Sequence, residues 1–486
     1  MLLDGTSLTL AVGALAVILL VYLLFGQYLH RFPPGPKGLP FLGCWPWMTH
    51  DWHKDFEKLG KGYGDLFTVW LLNTPVLVFQ GWRAFDEAFN KQATVWCNRP
   101  ISHGFLAQEV TPKTLFKTHY TEKFKFRKKF LMANVKRFSF GNKDNTGLIQ
   151  DEVEAIIMLL RGKESKPFYL QKAIRIHAAN PIPILFFGKA FDNDDADFEA
   201  CLNNTGIWFE KMAEACEADV LPLLRFLPRK CITDGKEAGK KVIAFFKKTI
   251  AACREQYDPN DLRCFVDQCF NAGVDEEEIL IHLLSYWGDA TDSVPGGFRL
   301  WVHQIAHHPD VQQKIQAELD RVLGDRVASY SDRLDLPYLE ASILEVLRIS
   351  SPVPISLPQE TLLDTEIFGY KIPVGTKYMI NFCMAQNDPN VWTKPKEFDP
   401  ERFITEEGKC NYKHDGWCAY GIGRRMCLGE PLSRQLMFIF VANLAQRFTF
   451  SFPEEDVPPK DPLQIAWSGV TNMPRDFQII ATPRDN

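Results

Sequence analysis

The chain has 486 residues, a formal net charge of −5 and a composition 46 % hydrophobic and 13 % aromatic, so it can bury a large core and is not disordered in bulk. The mild acidity excludes a nucleic-acid binder that works through a basic surface. Its 12 cysteines are scattered singly with no Cys-x-x-Cys pair, which excludes a common zinc module and a short disulfide framework and fits a reducing compartment.

The first element in chain order is "LTLAVGALAVILLVYLLF", residues 8–25, which carries no charge and has the length that spans a bilayer core. A cleaved signal peptide would want a basic start and small residues at its end, whereas Asp4 is the only early charge and Tyr22–Phe25 are bulky. His30, Arg31 and Lys37 follow the run, so the expectation is a single-pass anchor over residues 1–28 with the bulk of the chain facing the cytoplasm. "RFPPGPKGLPFLG", residues 31–43, cannot continue a helix and reads as a stiff spacer.

Residues 29–486 read as one large domain, mainly α with minor β, without repeats or low-complexity linkers. "DLFTVWLLNTPVLVF", residues 65–79, predicts a hairpin broken at Asn73–Pro75. Helical patterns follow over 151–162, 236–256, 275–287 and 286–309, short strands over 366–382, and a late helix over 431–448. Residues 113–137 hold nine lysines and arginines against one acid, Glu122, which makes that face a candidate dock for an acidic partner.

Chemistry concentrates in "AYGIGRRMCLGEPL", residues 419–432. Gly421, Gly423 and Gly429 around Cys427 permit positive φ and close backbone approach. Glu430 and Pro431 then open a helix, with proline near its first position and an acid in its first turn. A thiolate at Cys427 is favoured by that helix N-terminus and by Arg424 or Arg425, and a metal would complete its deprotonation.

"YGIGRRMCLG" is similar to the haem-binding signature of cytochromes P-450, Phe-x-x-Gly-x-Arg-x-Cys-x-Gly, in phase at Gly423, Arg425, Cys427 and Gly429, with Tyr420 where phenylalanine is usual. Three further stretches resemble the family in order. "ILEVLRIS" places Glu345 and Arg348 on one helix face, and "FDPERF" supplies Arg402, matching a Glu-Arg-Arg network behind the haem. The helix running to His308–Pro309 puts Asp292 and Ser293 at the acid–alcohol pair, with Ser293 where threonine is usual and Asp289–Ala290 where the family has Ala–Gly. Pro295 in that helix predicts a local break beside Asp292. In "KFKFRKKFLMANVKRFSFG", Phe124 and Lys128 occupy the places of a tryptophan and a propionate-binding arginine, and Gln359 stands where a basic propionate partner is common.

The resemblance implies a cytochrome P-450 fold behind an N-terminal transmembrane helix, of the animal microsomal type that oxidises steroids, fatty acids and xenobiotics. It implies haem b (iron protoporphyrin IX) on Cys427 as axial ligand, Arg425, Lys128 and Tyr420 beside the cofactor, and Asp292 with Ser293 feeding protons. The implied reaction is insertion of one oxygen atom from O2 into an apolar small molecule. The chain holds no Gly-rich flavin or nicotinamide fingerprint, so electrons come from NADPH through a separate P-450 reductase, with cytochrome b5 as a second candidate donor. Contact with membrane lipid and residence in the endoplasmic reticulum membrane follow from the same likeness, and nucleic acid does not enter. Two alternatives stay open at this stage: an isomerase or dehydratase of lipid peroxides that needs no external electrons, and a non-catalytic haem or ligand binder. Residues 99–111 and Pro352–Leu357 are candidate pocket walls for an apolar substrate, whereas Phe209 reads as a core position before a wall.

Overall fold

In the computed structural model, residues 12–18, 20–21, 32–39, 42–49, 51–72, 74–100, 113–139, 143–214, 229–466 and 471–484 are described. The chain groups into two units. One comprises Met1–Pro100, Ile355–Met384 and Ile422–Arg425; the other comprises Ile101–Pro354, Ala385–Gly421 and Met426–Asn486.

The first unit is built on the predicted hairpin. Strands β1 (Leu66–Leu71) and β2 (Thr74–Phe79) pair antiparallel, and Leu72 takes the turn at φ 54°. Pro75 sits opposite Trp70 and precedes the register with the next strand, which begins at Val76, so its missing N–H breaks no bond there. Two later strands complete the sheet: β3 (Gln359–Glu360) pairs antiparallel with β4 (Lys377–Ile380), and β4 runs parallel to β2. The alternation of β2 and β4 delivers Phe79 and Tyr378 into an aromatic cluster with Phe89 and Trp96, the ring centroids 5.0 to 6.4 Å apart. Edge-to-face pairs of this kind add to simple area burial.

The second unit is helical. Helices α1 (Glu122–Phe138), α2 (Lys143–Arg161), α3 (Ala196–Glu214), α4 (Lys230–Glu255), α5 (Glu276–His307), α6 (Pro337–Ser350) and α7 (Glu430–Arg447) carry most of its core. A small sheet joins Phe168–Tyr169, Gln478–Pro483 and Phe448–Ser451. The separate helical patterns over 275–287 and 286–309 are one helix. Asp275 caps α5 by accepting the Glu278 N–H at 2.8 Å, and Glu276, Glu277 and Glu278 suit its positive N-terminal end.

The break expected at Pro295 does not occur, because α5 is continuous from Glu276 to His307. Proline removes one N–H, the partner of the Thr291 carbonyl, while packing holds the rest of the helix. Gly296 lies so close to Met473 that a Cβ would stand 2.3 Å from its Sδ, and a Cβ on Gly297 would stand 3.1 Å from Met437 Sδ. These sulfurs clamp the two glycines that would otherwise loosen the turn.

Of the apolar run 8–25, only residues 12–18 and 20–21 are described, and they are helical. Among the described residues no helix is long and apolar enough to cross a membrane.

Candidate active site

The sulfur of Cys427 is set by the turn that ends in α7. The Cys427 N–H donates to the Tyr420 carbonyl at 2.8 Å, and Gly421, at φ +78°, makes the reversal possible. Gly429 caps α7, and the amides of Gly429 and Glu430 point at the Cys427 sulfur. A Cβ on Gly429 would lie 3.3 Å from Tyr286 Oη and 3.7 Å from Cys427 Sγ, so Tyr286 and the sulfur pack closely around this position.

Two properties of Cys427 look opposed. Its surface is accessible, yet burial pushes its thiol up to about 11; the Gly429 and Glu430 amides oppose that rise, and Asp289 and Glu430 add to it. The sulfur keeps accessible surface while protein packs densely around it. Amide donors stabilise a thiolate, and a cation at the sulfur would outweigh the burial penalty. The donor set therefore fits a thiolate-ligated iron. Tyr420 takes the usual phenylalanine place because Ser433 satisfies its hydroxyl at 3.0 Å. The Arg434 guanidinium covers Trp417 and Tyr420 at 4.8 and 5.4 Å and pairs with Glu430 at 2.9 Å.

On α5, Asp292 is exposed and Ser293 half-buried, while residues 279, 281–288 and 294–302 are buried apart from them. Asp289 is also accessible, although burial first and Asp292 second push its carboxyl up to about 6. Phe209 presses on the backbone at Gly288, where a Cβ would be 1.8 Å from its Cε2.

Glu345, Arg348 and Arg402 do meet. Arg348 forks onto Glu345 at 2.6 and 2.8 Å, and Arg402 Nε reaches the same carboxylate at 3.3 Å. Arg348 also donates to the carbonyls of Gln386 and Pro395 at 2.7 and 2.8 Å and lies 5.0 Å over the Trp392 ring. Glu345 and Arg348 are fully buried, so this is a bound network rather than a surface pair.

On α1, Phe124 is buried and Lys128 half-buried. The charge that the helix buries is the neighbouring Arg127, which grips Glu278 and the Lys113 carbonyl. Sequence reasoning gave Arg127 no role; its partner lies 151 residues away.

The first unit holds Arg425, whose Nε donates to the Cys97 carbonyl at 2.6 Å. Arg99 is a second arginine that sequence reasoning named only as the start of a wall. Its Nη1 donates to the carbonyls of Leu357 and Pro358, both at 2.9 Å, while its Nε is buried without a hydrogen-bond partner among the described residues. Burial first and Arg425 second push Arg99 down to about 9, so two guanidinium groups share a desolvated corner that an anion would relieve. Gln359, at the place of a common propionate partner, is instead buried in β3 and accepts the Tyr378 hydroxyl at 3.2 Å. Residues 101–111 of the expected pocket wall lie outside the described residues.

A family model described as Cytochrome P450 matches residues 33–481. The chain belongs to the cytochrome P450 family. Cytochrome P450 1A1 of Rattus norvegicus is 30% identical to it over 448 residues, 87% of this chain and 85% of that protein. Cytochrome P450 2U1 and Cytochrome P450 2J3 of Rattus norvegicus are 27% and 29% identical, each alignment covering 99% of this chain and 97% of the relative. As a cytochrome P450 the chain is an oxidoreductase, a haem-thiolate monooxygenase that draws its electrons from a redox partner. The peroxide-isomerase and passive-binder readings are not favoured.

Proposed function

We propose that this cytochrome P450 hydroxylates an apolar small molecule, a steroid, fatty acid or xenobiotic, with haem b held by Cys427 and electrons from NADPH through a separate reductase. The observation that carries this reading is the accessible Cys427 sulfur at the start of α7, with two backbone amides turned toward it. Bound haem supplies dioxygen activation, and a thiolate ligand favours O–O cleavage.

The chain's own residues supply the rest. Asp292, accessible on α5, would take protons from solvent and hand them to Ser293, whose hydroxyl would order water. A peroxide-consuming isomerase would need no such relay. Arg425, by its place in the signature, would receive a haem carboxylate. Lys128 contributes a point charge to the same end. Glu345, Arg348 and Arg402 hold the segment 393–402 in place through the carbonyls they bind. The basic stretch 113–137, with Phe126 70% exposed in its midst, suits an acidic reductase, with cytochrome b5 as a second user of that face.

Residues 1–28 form the membrane anchor and 29–486 the catalytic domain. The uncharged run 8–25 supports a single pass through the endoplasmic reticulum membrane with the catalytic domain on the cytoplasmic side. The test is reconstitution of the full chain with reductase, NADPH and O2. The expected outcome is substrate hydroxylation and a reduced-CO absorption band of the thiolate-haem type. Haem-loaded protein that shows neither contradicts the proposal.

A further inference from the structure

We infer that Arg434 is a positioning residue for Cys427: its guanidinium braces both arms of the turn that presents the sulfur, and its charge holds up the one-electron reduction potential of the iron ligated there. The inference deepens the monooxygenase reading and rests on Cys427 as the ligand.

The first observation is what the guanidinium touches. On the C-terminal side of Cys427, Arg434 Nε pairs with Glu430 at 2.9 Å, one turn back on α7. On the N-terminal side, its Cζ lies 5.7, 4.8 and 5.4 Å from the ring centroids of Tyr412, Trp417 and Tyr420. One planar cation therefore holds the helix that follows the cysteine against three rings that precede it.

The second observation is how these partners are tied to the sulfur. The Tyr420 carbonyl accepts the Cys427 N–H at 2.8 Å, and the Tyr420 hydroxyl meets Ser433 Oγ at 3.0 Å. The ring under Arg434 thus belongs to the residue that fixes the cysteine backbone. Trp417 Nε1 donates to the Leu344 carbonyl at 3.1 Å, which anchors the cage on α6. A Cβ on Gly429 would lie 3.7 Å from Cys427 Sγ, and Glu430 is the next residue.

The third observation is the surroundings. The side chains of Arg434 and Glu430 are 16% and 20% exposed, and Arg434 Nη1 is buried without a hydrogen-bond partner among the described residues. A charge held in this way is screened less than one at the surface. Reduction of ferric to ferrous iron, with the electron coming from the redox partner, adds one negative charge at the centre. A cation so placed favours that step, and an acid opposes it.

The experiment is a potentiometric titration of the full-length holoenzyme at one fixed pH, because Glu340 on α6 also answers to Arg434. Arg434→Met is expected to shift the ferric–ferrous equilibrium about tenfold toward ferric, a fall of about 59 mV. Glu430→Gln is expected to shift it about threefold the other way, and the double variant to return within about twofold of wild type. Arg434→Lys keeps the charge without the stacked plane, so it should hold the potential and lose the thiolate-type CO band several-fold faster in urea. Packing alone cannot give the two single variants opposite signs. Unmoved potentials, or shifts of the same sign, overturn the inference, and Glu430→Gln decides the sign even where Arg434→Met does not fold. A wild type without the thiolate-type band counts against Cys427 and the monooxygenase reading, whereas that band with unmoved potentials in the variants overturns the role of Arg434 by itself.

Discussion

Arg348→Met keeps the volume of the side chain nearly constant and removes its charge and its donors. In the structure that guanidinium satisfies both oxygens of Glu345 and the Gln386 carbonyl at full burial, and the part-buried carbonyl of Pro395. Removing one partner of a buried ion pair costs about 3–5 kcal/mol, because the other charge is left behind. Arg402 Nε at 3.3 Å and the Asp399 N–H at 3.1 Å keep part of the compensation for Glu345, while one buried and one part-buried carbonyl lose their donor. The net loss is therefore placed at about 4–6 kcal/mol, which approaches the whole stability of many domains. The assay is the urea midpoint and m-value of the full chain, with haem-loaded yield as a second readout. Glu345→Gln combined with Arg348→Met should cost at least about 2 kcal/mol less than the sum of the two single changes, since the pair leaves together. A loss under about 1 kcal/mol for Arg348→Met, or simple additivity in the double variant, refutes the reasoning.

Glu340 gives a pH signature: it is 4% exposed, and burial pushes its carboxyl up to about 7 against the pull of Arg434 and Arg333. Between the ordinary carboxylate range and that value the folded chain binds more protons than the unfolded one, so stability falls as pH rises through this window, by about 3 kcal/mol at most. Glu340→Gln should flatten this fall in urea midpoints measured at about pH 5 and about pH 7.5, and an unchanged slope contradicts it. Gly288→Ala sets a methyl 1.8 Å from Phe209 Cε2 and should cost about 1–3 kcal/mol, part of it recovered when Phe209→Ala is added; no recovery means that the clash lies elsewhere.

What the sequence made legible was local. The helix from Glu430 to Arg447 announces itself by the acid and proline that open it, and Cys427 by its glycines. Glu345 and Arg348 could be paired because a helix turn brings i and i+3 together. Arg99 was out of reach because the carbonyls that orient it lie 258 and 259 residues on, and nothing near Arg99 in the chain marks it. Pro295 misled for a related reason. Its local effect is real, but Met473 and Met437, far along the chain, hold the turn closed. Gln359 was read by its place in a family pattern, whereas its partner is a strand neighbour, Tyr378.

The most direct measurement is the reduced-CO spectrum of Cys427→Ala beside wild type, with haem content determined separately. The wild type should give the thiolate-haem band, and the variant should lose it together with NADPH-supported hydroxylation. A variant that loads haem and keeps the same band would mean that the iron is held by another group, and the assignment of Cys427 would fall.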